Sequence, residues 1–310
     1  MKTVVTGGAG FIGSNLATRL LADGHEVAIV DDLSTGHRAN LPAKATFHHG
    51  SILDAALLAR VCKGAEVVFH QAALASVPRS IEDPLGTSQV NEMGTLQVLE
   101  AARRAGVGKV VFAASSSAYG DTPTLPKDET MASNPLSPYA AAKLAGELHC
   151  SVYHAVHGLR TTSLRYFNIY GPRQDPNGAY AAVIPKFILA ALAGKPLTIH
   201  GDGRQSRDFT FVADAVAANM LAATSKKADG QVINVGAGAQ TDLNTLANRI
   251  IELAGSKSKL VHGPPRAGDV RDSLASLERA RKLLGYKPTV ALRDGLAQTV
   301  EWFRQASKSS

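Results

Sequence analysis

Tyr139 and Lys143 stand four residues apart in Ser137-Pro138-Tyr139-Ala140-Ala141-Ala142-Lys143. Ser137 can cap a helix, and Pro138 suits its first position. The phenol and the ammonium then share one helical face, a turn apart. Free tyrosine titrates near about 10 and is a poor base at neutral pH. A nearby ammonium and the positive end of a helix both favour phenolate. The pair therefore reads as a phenol set to take a proton from an alcohol, although an aromatic packed beside a solvated lysine has the same spacing. Ser115-Ser116-Ser117 follows the apolar run Val110-Val111-Phe112-Ala113-Ala114. Hydroxyls at the carboxyl end of a parallel strand stand where ligands bind. One of them can hold or relay the alcohol proton, and the others can cap the turn.

An alcohol that loses its proton also needs a hydride acceptor, and the N-terminus supplies a place for one. Lys2-Thr3-Val4-Val5-Thr6 is a short strand, Gly7-Gly8-Ala9-Gly10-Phe11-Ile12-Gly13 follows at once, and helical apolar spacing begins over 14–21. Gly8, Gly10 and Gly13 fit a G-x-G-x-x-G fingerprint, with Gly7 as a fourth glycine. Bare backbone there can approach a pyrophosphate at a helix start, and a plain glycine turn is the alternative. The second strand, over 26–30, ends at Asp31. A carboxylate at that point can accept ribose hydroxyls and repel a 2′-phosphate, which favours NAD over NADP. His37 and Arg38, close behind, weaken that preference.

These groups need a scaffold, and the alternation of elements describes it. Strands are expected over 2–6, 26–30, 45–48, 66–70, 109–114 and 160–165, with helices between them, including 87–105 and 138–157. That rhythm means an α/β fold, a Rossmann-type doubly wound parallel sheet. After Gly171 the pattern breaks into shorter Pro- and Gly-rich elements. Segments 212–224 and 232–235 return to the sheet. The expected division is a dinucleotide domain over 1–170, rejoined by about 208–236, and a smaller C-terminal substrate-binding lobe from 171–207 and 237–310.

The chain has 310 residues, of which 45% are apolar, enough for one large or two closely joined domains. No run of eighteen apolar residues appears, and the first strand leaves no room for a signal peptide. Cys62 and Cys150 are the only cysteines, and they read as buried, inert thiols in a reducing cytoplasm. The net charge of +7 is scattered and aromatics make up only 5%, so no nucleic-acid surface is expected. An anionic substrate such as a diphosphate accounts better for the excess. The ten histidines are not arranged with other ligands for a metal, and His70 reads as a packed strand-end residue.

Almost end to end, the chain resembles the extended short-chain dehydrogenase/reductases, and within them the nucleotide-sugar 4-epimerases. The matching stretches are 6–14, His70-Gln71-Ala72-Ala73-Leu74-Ala75-Ser76-Val77-Pro78-Arg79-Ser80, 115–120, 137–143, Arg165-Tyr166-Phe167-Asn168, 173–186, Gly201-Asp202-Gly203, Ser206-Arg207-Asp208-Phe209 and Arg266-Ala267-Gly268-Asp269-Val270-Arg271. Val77-Pro78-Arg79-Ser80 and the 173–180 stretch are particularly similar to the UDP-N-acetylglucosamine 4-epimerase group.

The resemblance implies a catalytic Ser115, Tyr139 and Lys143. It implies NAD contacts from Gly7, Gly10, Phe11, Ile12, Gly13, Asp31, Asp32, Ser34, Thr35, Gly36, Ser51, Ile52, Gln71, Ala72, Ala73, Asn91 and Tyr166, together with Tyr139 and Lys143. UDP-sugar contacts are implied for Ser76, Val77, Ser115, Ser116, Ser117, Tyr139, Asn168, Ala182, Val183, Arg207, Arg266, Asp269 and Ser273. Asn168, Arg207 and Arg266 match diphosphate contacts, and Asp269 also matches a uridine ribose contact. Ser273, four beyond Asp269, matches a wall of the sugar pocket where a small residue admits an N-acetyl group. One departure is Gly50-Ser51-Ile52, where many relatives carry Gly-Asp-Ile at the adenine ring. The family also implies a homodimer formed through a four-helix bundle of 87–105 and 138–157.

The implied activity is NAD-dependent 4-epimerisation of UDP-hexoses, both UDP-GlcNAc/UDP-GalNAc and UDP-Glc/UDP-Gal, through a transient 4-keto sugar. A 4,6-dehydratase would place Asp-Glu where Ser116-Ser117 stand. UDP-glucuronate epimerases or decarboxylases often carry Thr where Asn168 stands. An NAD sensor without turnover would have no need of Ser115, Tyr139 and Lys143.

Overall fold

Seven strands pair in parallel in the order Gln231–Val235, Arg160–Tyr166, Lys109–Ser115, Val67–His70, Lys2–Thr6, Glu26–Asp31 and Thr46–His49. Each lies within one residue of its expected bounds. The computed structural model describes residues 1–176, 182–264 and 271–307. The central strands are buried on both faces, which is why they read as unbroken apolar runs. Helices Phe11–Ala22 and Val212–Thr224 cover one face. Ala55–Cys62, Gly94–Arg104 and Pro138–His157 cover the other. Of the two segments expected to return to the sheet, 212–224 is thus a covering helix and only Gln231–Val235 is a strand.

The helix carrying Tyr139 and Lys143 runs over Pro138–His157. Ser137 caps it by accepting from the Ala140 N–H at 3.2 Å, and Gly158 ends it in a left-handed conformation. It lies hard against the sheet, because a Cβ on Gly146 would meet Phe112 Cζ at 2.5 Å. One turn beyond Lys143, Glu147 accepts from Arg165 Nε at 2.8 Å and Nη2 at 2.7 Å. This two-pronged pair is buried, so removing one partner would strand a charge. Arg165 also lies over the Tyr119 ring, 4.5 Å from its centre.

The helix expected over 87–105 is interrupted. Pro84–Ser88 and Gly94–Arg104 are α-helical, and Gln89–Met93 between them is a π-helical turn. Within that turn Asn91 clamps a neighbouring loop, accepting from Leu74 N at 2.8 Å and donating to Leu74 O at 3.1 Å. Periodicity alone does not reveal such a bulge, which is a common device at functional sites.

Beyond Gly171, Leu197–His200 pairs with Leu260–Gly263, and Ser206–Arg207 with Thr241–Asp242. Helices Val183–Leu192, Leu243–Ala254 and Leu292–Ala306 pack around them. Fully buried Asp208 binds this region together by accepting from Ala237 N, Gly238 N and Ala275 N at 2.7–3.1 Å. Burial outweighs those amides and pushes its carboxyl up to about 6. Among the described residues no helix is long and apolar enough to cross a membrane.

Candidate active site

The strands Lys2–Thr6 and Val67–His70 are neighbours, yet the chain leaves their carboxyl ends toward opposite faces of the sheet. A cleft of about 420 Å³ opens there, at the switch point where such sheets bind ligands. Gly7, Gly10, Phe11, Ile12 and Gly13 line one side, and Gln71, Ala72 and Ala73 the other. Gly7 has φ +71°, and a Cβ on it would lie 2.6 Å from Ala72 N. A Cβ on Gly13 would lie 2.2 Å from Gly7 O. Gly8 instead backs onto Ile29, so the cleft-forming glycines are Gly7, Gly10 and Gly13, and the fingerprint read with Gly8 differs in its first glycine. Gly10 begins the helix Phe11–Ala22 with no side-chain cap, and no acid stands in the first turn. A bare backbone, a helix start and no local anion make a cradle that fits a dinucleotide pyrophosphate.

Asp31 and Asp32 line the far end with Ser34, Thr35, His37 and Asn40. The Asp31 carboxylate accepts from Ala9 N at 2.9 Å and Leu33 N at 2.8 Å. It therefore shapes the glycine turn as well as facing the cleft. Burial raises its pKa against the pull of those two amides. Gly36 packs on Ala9 and Asp31. Gly50 and Ile52 line the wall, whereas Ser51 turns its hydroxyl to Leu53 N and is not among the lining residues. Asn91 acts one residue removed, through Leu74, which does line the cleft.

Tyr139, Lys143, Ala113, Ala114 and Tyr166 close the other end. Ser115 lies close enough to the Tyr139 phenol to favour its ionised form. Ser115 also accepts from the Ser117 hydroxyl at 2.8 Å and from Ser117 N at 3.2 Å. Lys143 is buried beneath them. Its Nζ donates to Ala113 O at 2.7 Å and stands 4.9 Å from the centre of the Phe112 ring. Burial pushes Lys143 down to about 8, with Cys150 and Glu147 opposing. The expected lowering of the Tyr139 pKa by Lys143 is not what the protein alone produces. Burial raises that pKa, and only the Ser115 contact pulls it back. The lysine directs its charge at a backbone carbonyl, and burial favours the protonated form of the phenol.

A second cavity of about 280 Å³ adjoins the cleft, and Gln174 and Ala182 line both. Asn168, Val183 and Arg207 border it, with Phe187, Ile199 and Phe209 as apolar walls. Asn168 has φ +35°, and its Nδ2 donates to Asp208 O at 3.3 Å and to Ser273 Oγ at 3.2 Å. Ser273 lies in an extended segment, its N–H donating to Ser206 O at 3.1 Å, so it does not cap a turn. Ser76 caps the short helix Val77–Glu82 by accepting from Arg79 N; it lines neither cavity, and Val77 is exposed. Ser116 opens the 3₁₀ turn Ser116–Tyr119. Arg266 and Asp269 lie outside the described residues.

Several lining residues were not assigned to the site from the sequence. Arg173, with φ +70°, and Gln174 line the cleft. The Gln174 Oε1 is buried without a hydrogen-bond partner, at the boundary of the two cavities. His37 and Asp175 face one another at 3.5 Å across the mouth. His70 is held between Thr6 Oγ1 at 2.7 Å and Thr95 Oγ1 at 2.9 Å, and burial pushes its pKa down to about 3. Cys62 and Cys150 are buried free thiols. No group of three side chains suited to a metal occurs among the described residues.

Residues 3–236 match the model of the NAD dependent epimerase/dehydratase family. The chain belongs to that family. It is 45% identical to the UDP-glucose 4-epimerase of Mycolicibacterium smegmatis, over 99% of this chain and all of that one. It is also 37% identical to a UDP-N-acetyl-alpha-D-glucosaminuronate decarboxylase of Bacillus cytotoxicus, over 98% of each chain. Among solved structures it resembles the UDP-glucose 4-epimerase of Thermotoga maritima with UDP-glucose (TM-score 0.96, 40% identity, 99% of this chain and 100% of that one). It resembles equally the UDP-N-acetylglucosamine 4-epimerase of Methanobrevibacter ruminantium in complex with UDP-N-acetylmuramic acid (TM-score 0.95, 40% identity, 98% of each).

Gly13→Ala tests the cradle. The added methyl has only backbone to displace, so NAD retained by the purified protein is expected to fall at least about tenfold, the loss of roughly 1.4 kcal/mol or more of binding. Quantifying nucleotide released on denaturation checks it, and normal retention would reject the cradle.

Proposed function

We propose that this protein is an NAD-dependent UDP-sugar 4-epimerase. The observation that carries the reading is Tyr139 and Lys143 lining the cofactor cleft next to the Ser115 strand end, where that cleft meets a second cavity bordered by Asn168 and Arg207. A sugar reaching out of that cavity presents its C4 hydroxyl to Tyr139. As phenolate, Tyr139 would take the hydroxyl proton and become the phenol, while Ser115 holds the oxygen. When bound, NAD accepts a hydride from C4 and later returns it. Lys143 would help to hold the ribose of the bound cofactor.

The resulting 4-keto sugar must turn about its link to the diphosphate and present its other face. Asn168 and Arg207, with Arg266 and Asp269, hold the nucleotide so that only the sugar turns. The lobe formed by 171–207 and 237–310 is the nucleotide-holding half, and 1–170 with 208–236 is the cofactor half. A decarboxylase among the relatives makes the acidic-sugar alternative concrete. Ser116-Ser117 could offer hydroxyls to a sugar carboxylate, so the support for the epimerase is Asn168, where such enzymes often carry Thr.

Ser273 lines neither cavity but accepts from Asn168 Nδ2, which borders the second one, and its side chain is small. We read it as leaving room for an N-acetyl group, so that UDP-GlcNAc/UDP-GalNAc and UDP-Glc/UDP-Gal are all substrates. Leu148, Val152 and Val156 form an exposed apolar stripe on Pro138–His157. Exposed Ile81, Leu85 and Met93 on the adjoining turns extend it. A second copy is the proposed cover, pairing helices across a two-fold axis.

Three outcomes are expected. Tyr139→Phe should lose at least about a hundredfold in turnover of UDP-sugars with NAD binding intact, as for removal of a general base; near-normal turnover would assign the proton transfer to another group. Ser273→Tyr should abolish N-acetyl activity and spare the plain sugars, followed by chromatography of products from all four UDP-sugars. Light scattering at micromolar concentration should give a dimer, and Leu148→Glu with Val152→Glu should shift it to monomer.

A further inference from the structure

Three side chains from three elements close a hydrogen-bonded ring at the end of the cleft. Asn219 Nδ2 lies 2.7 Å from Tyr166 Oη, Tyr166 Oη 3.3 Å from Gln71 Oε1, and Gln71 Nε2 3.0 Å from Asn219 Oδ1. An amide donates only through nitrogen and accepts only through oxygen. The ring therefore runs one way: Asn219 donates to Tyr166, Tyr166 donates to Gln71, and Gln71 donates to Asn219. The other Asn219 N–H donates to Ala215 O at 2.8 Å, and Gln71 Nε2 also lies 3.2 Å from Tyr166 Oη. Asn219 is completely buried and Tyr166 nearly so.

The ring touches everything the reaction needs. Gln71 and Tyr166 line the cofactor cleft. Tyr166 is the register partner of Ser115 on the adjacent strand and stands two residues before Asn168. Asn219 reaches them from the helix Val212–Thr224, which follows directly on Arg207, Asp208 and Phe209 at the second cavity. A ring of buried polar groups is worth most when complete, because each member left unpaired costs its full desolvation. Without the Asn219 amide, the Gln71 amide and the Tyr166 hydroxyl must find new partners, and the open cleft is the nearest place to turn.

We propose that Asn219 is a positioning residue for the epimerisation. It locks Tyr166 and Gln71 into one arrangement, which forms the floor of the cofactor cleft beside Ser115 and Tyr139. The proposal rests on the epimerase reading, but one of its readouts does not. Hydride transfer tolerates little displacement of its partners, whereas holding the nucleotide at the far cavity does not depend on this floor.

The test uses purified, cofactor-loaded Asn219→Ala, Tyr166→Phe and the double variant. Tyr166→Phe keeps the ring's bulk and so guards against simple misfolding. Measured are kcat and KM for the UDP-sugar, fluorescence of the bound cofactor after chemical reduction, and melting temperature. Each single variant is expected to lower kcat about tenfold, with KM within about twofold. Each should also shift the emission or intensity of the reduced, bound cofactor. The double variant should match the worse single within about twofold, since both break one ring. A lowered melting temperature with normal kcat and cofactor emission would reduce Asn219 to a packing role and overturn the proposal. So would losses that multiply in the double variant. If the wild type epimerises no UDP-sugar, the epimerase reading fails, and the cofactor emission alone decides whether Asn219 positions the floor.

Discussion

Gly7 and Ala72 come so close that no side chain fits between them, and the geometry of the site follows from that approach. Both lie just beyond adjacent parallel strands, and from there the chain departs in opposite directions. A crevice must open between the two departures. At its glycine side it is bare backbone, with the start of an uncapped helix, and its walls are the loops that follow each strand. Nothing in this arrangement needs a charged residue to attract an anion, because the amides and the helix start already supply positive potential. The remaining side chains are free for chemistry and for holding the floor in shape.

Buried polar groups maintain that shape, and most of them come in matched sets. Thr6, His70 and Thr95 link the glycine turn to the π-helical turn, and Asn91 carries the link to the Leu74 loop. Glu147 and Arg165 tie the Lys143 helix to its neighbouring strand. Such sets add specificity of arrangement more than raw stability, since their desolvation offsets most of their attraction.

The sheet was legible in the sequence because its central strands are buried on both faces, and a short apolar, β-branched run bounded by turn residues fits a buried strand better than a helix. The Tyr139–Lys143 helix was legible from its cap, its proline and its length. The site was legible only where backbone shapes it or where a motif had one geometry, as with Gly7, Gly10 and Gly13. Asn219 escaped notice because an asparagine within Val212–Thr224 looks like any polar helical residue until the opposite strand end is known. Lys143 was read correctly in place and wrongly in effect. Spacing puts it beside Tyr139, but only the fold brings the Ala113 carbonyl within its reach. The Ser76 side chain has a local capping role that the resemblance did not reveal.

Arg165 and Tyr166 are consecutive, and a strand sends consecutive side chains to opposite faces. Arg165 reaches Glu147 on the helix covering one face, and Tyr166 reaches Asn219 on the helix covering the other. A single strand end thus fastens both layers of the sandwich. Adding or deleting one residue before Arg165 within this strand would send the guanidinium toward Asn219 and the phenol toward Glu147. Both fastenings would fail together, and Ser115 would lose its register partner. Evolution can therefore vary the composition of this strand but not its length, and insertions in relatives should gather in the loops on either side of it.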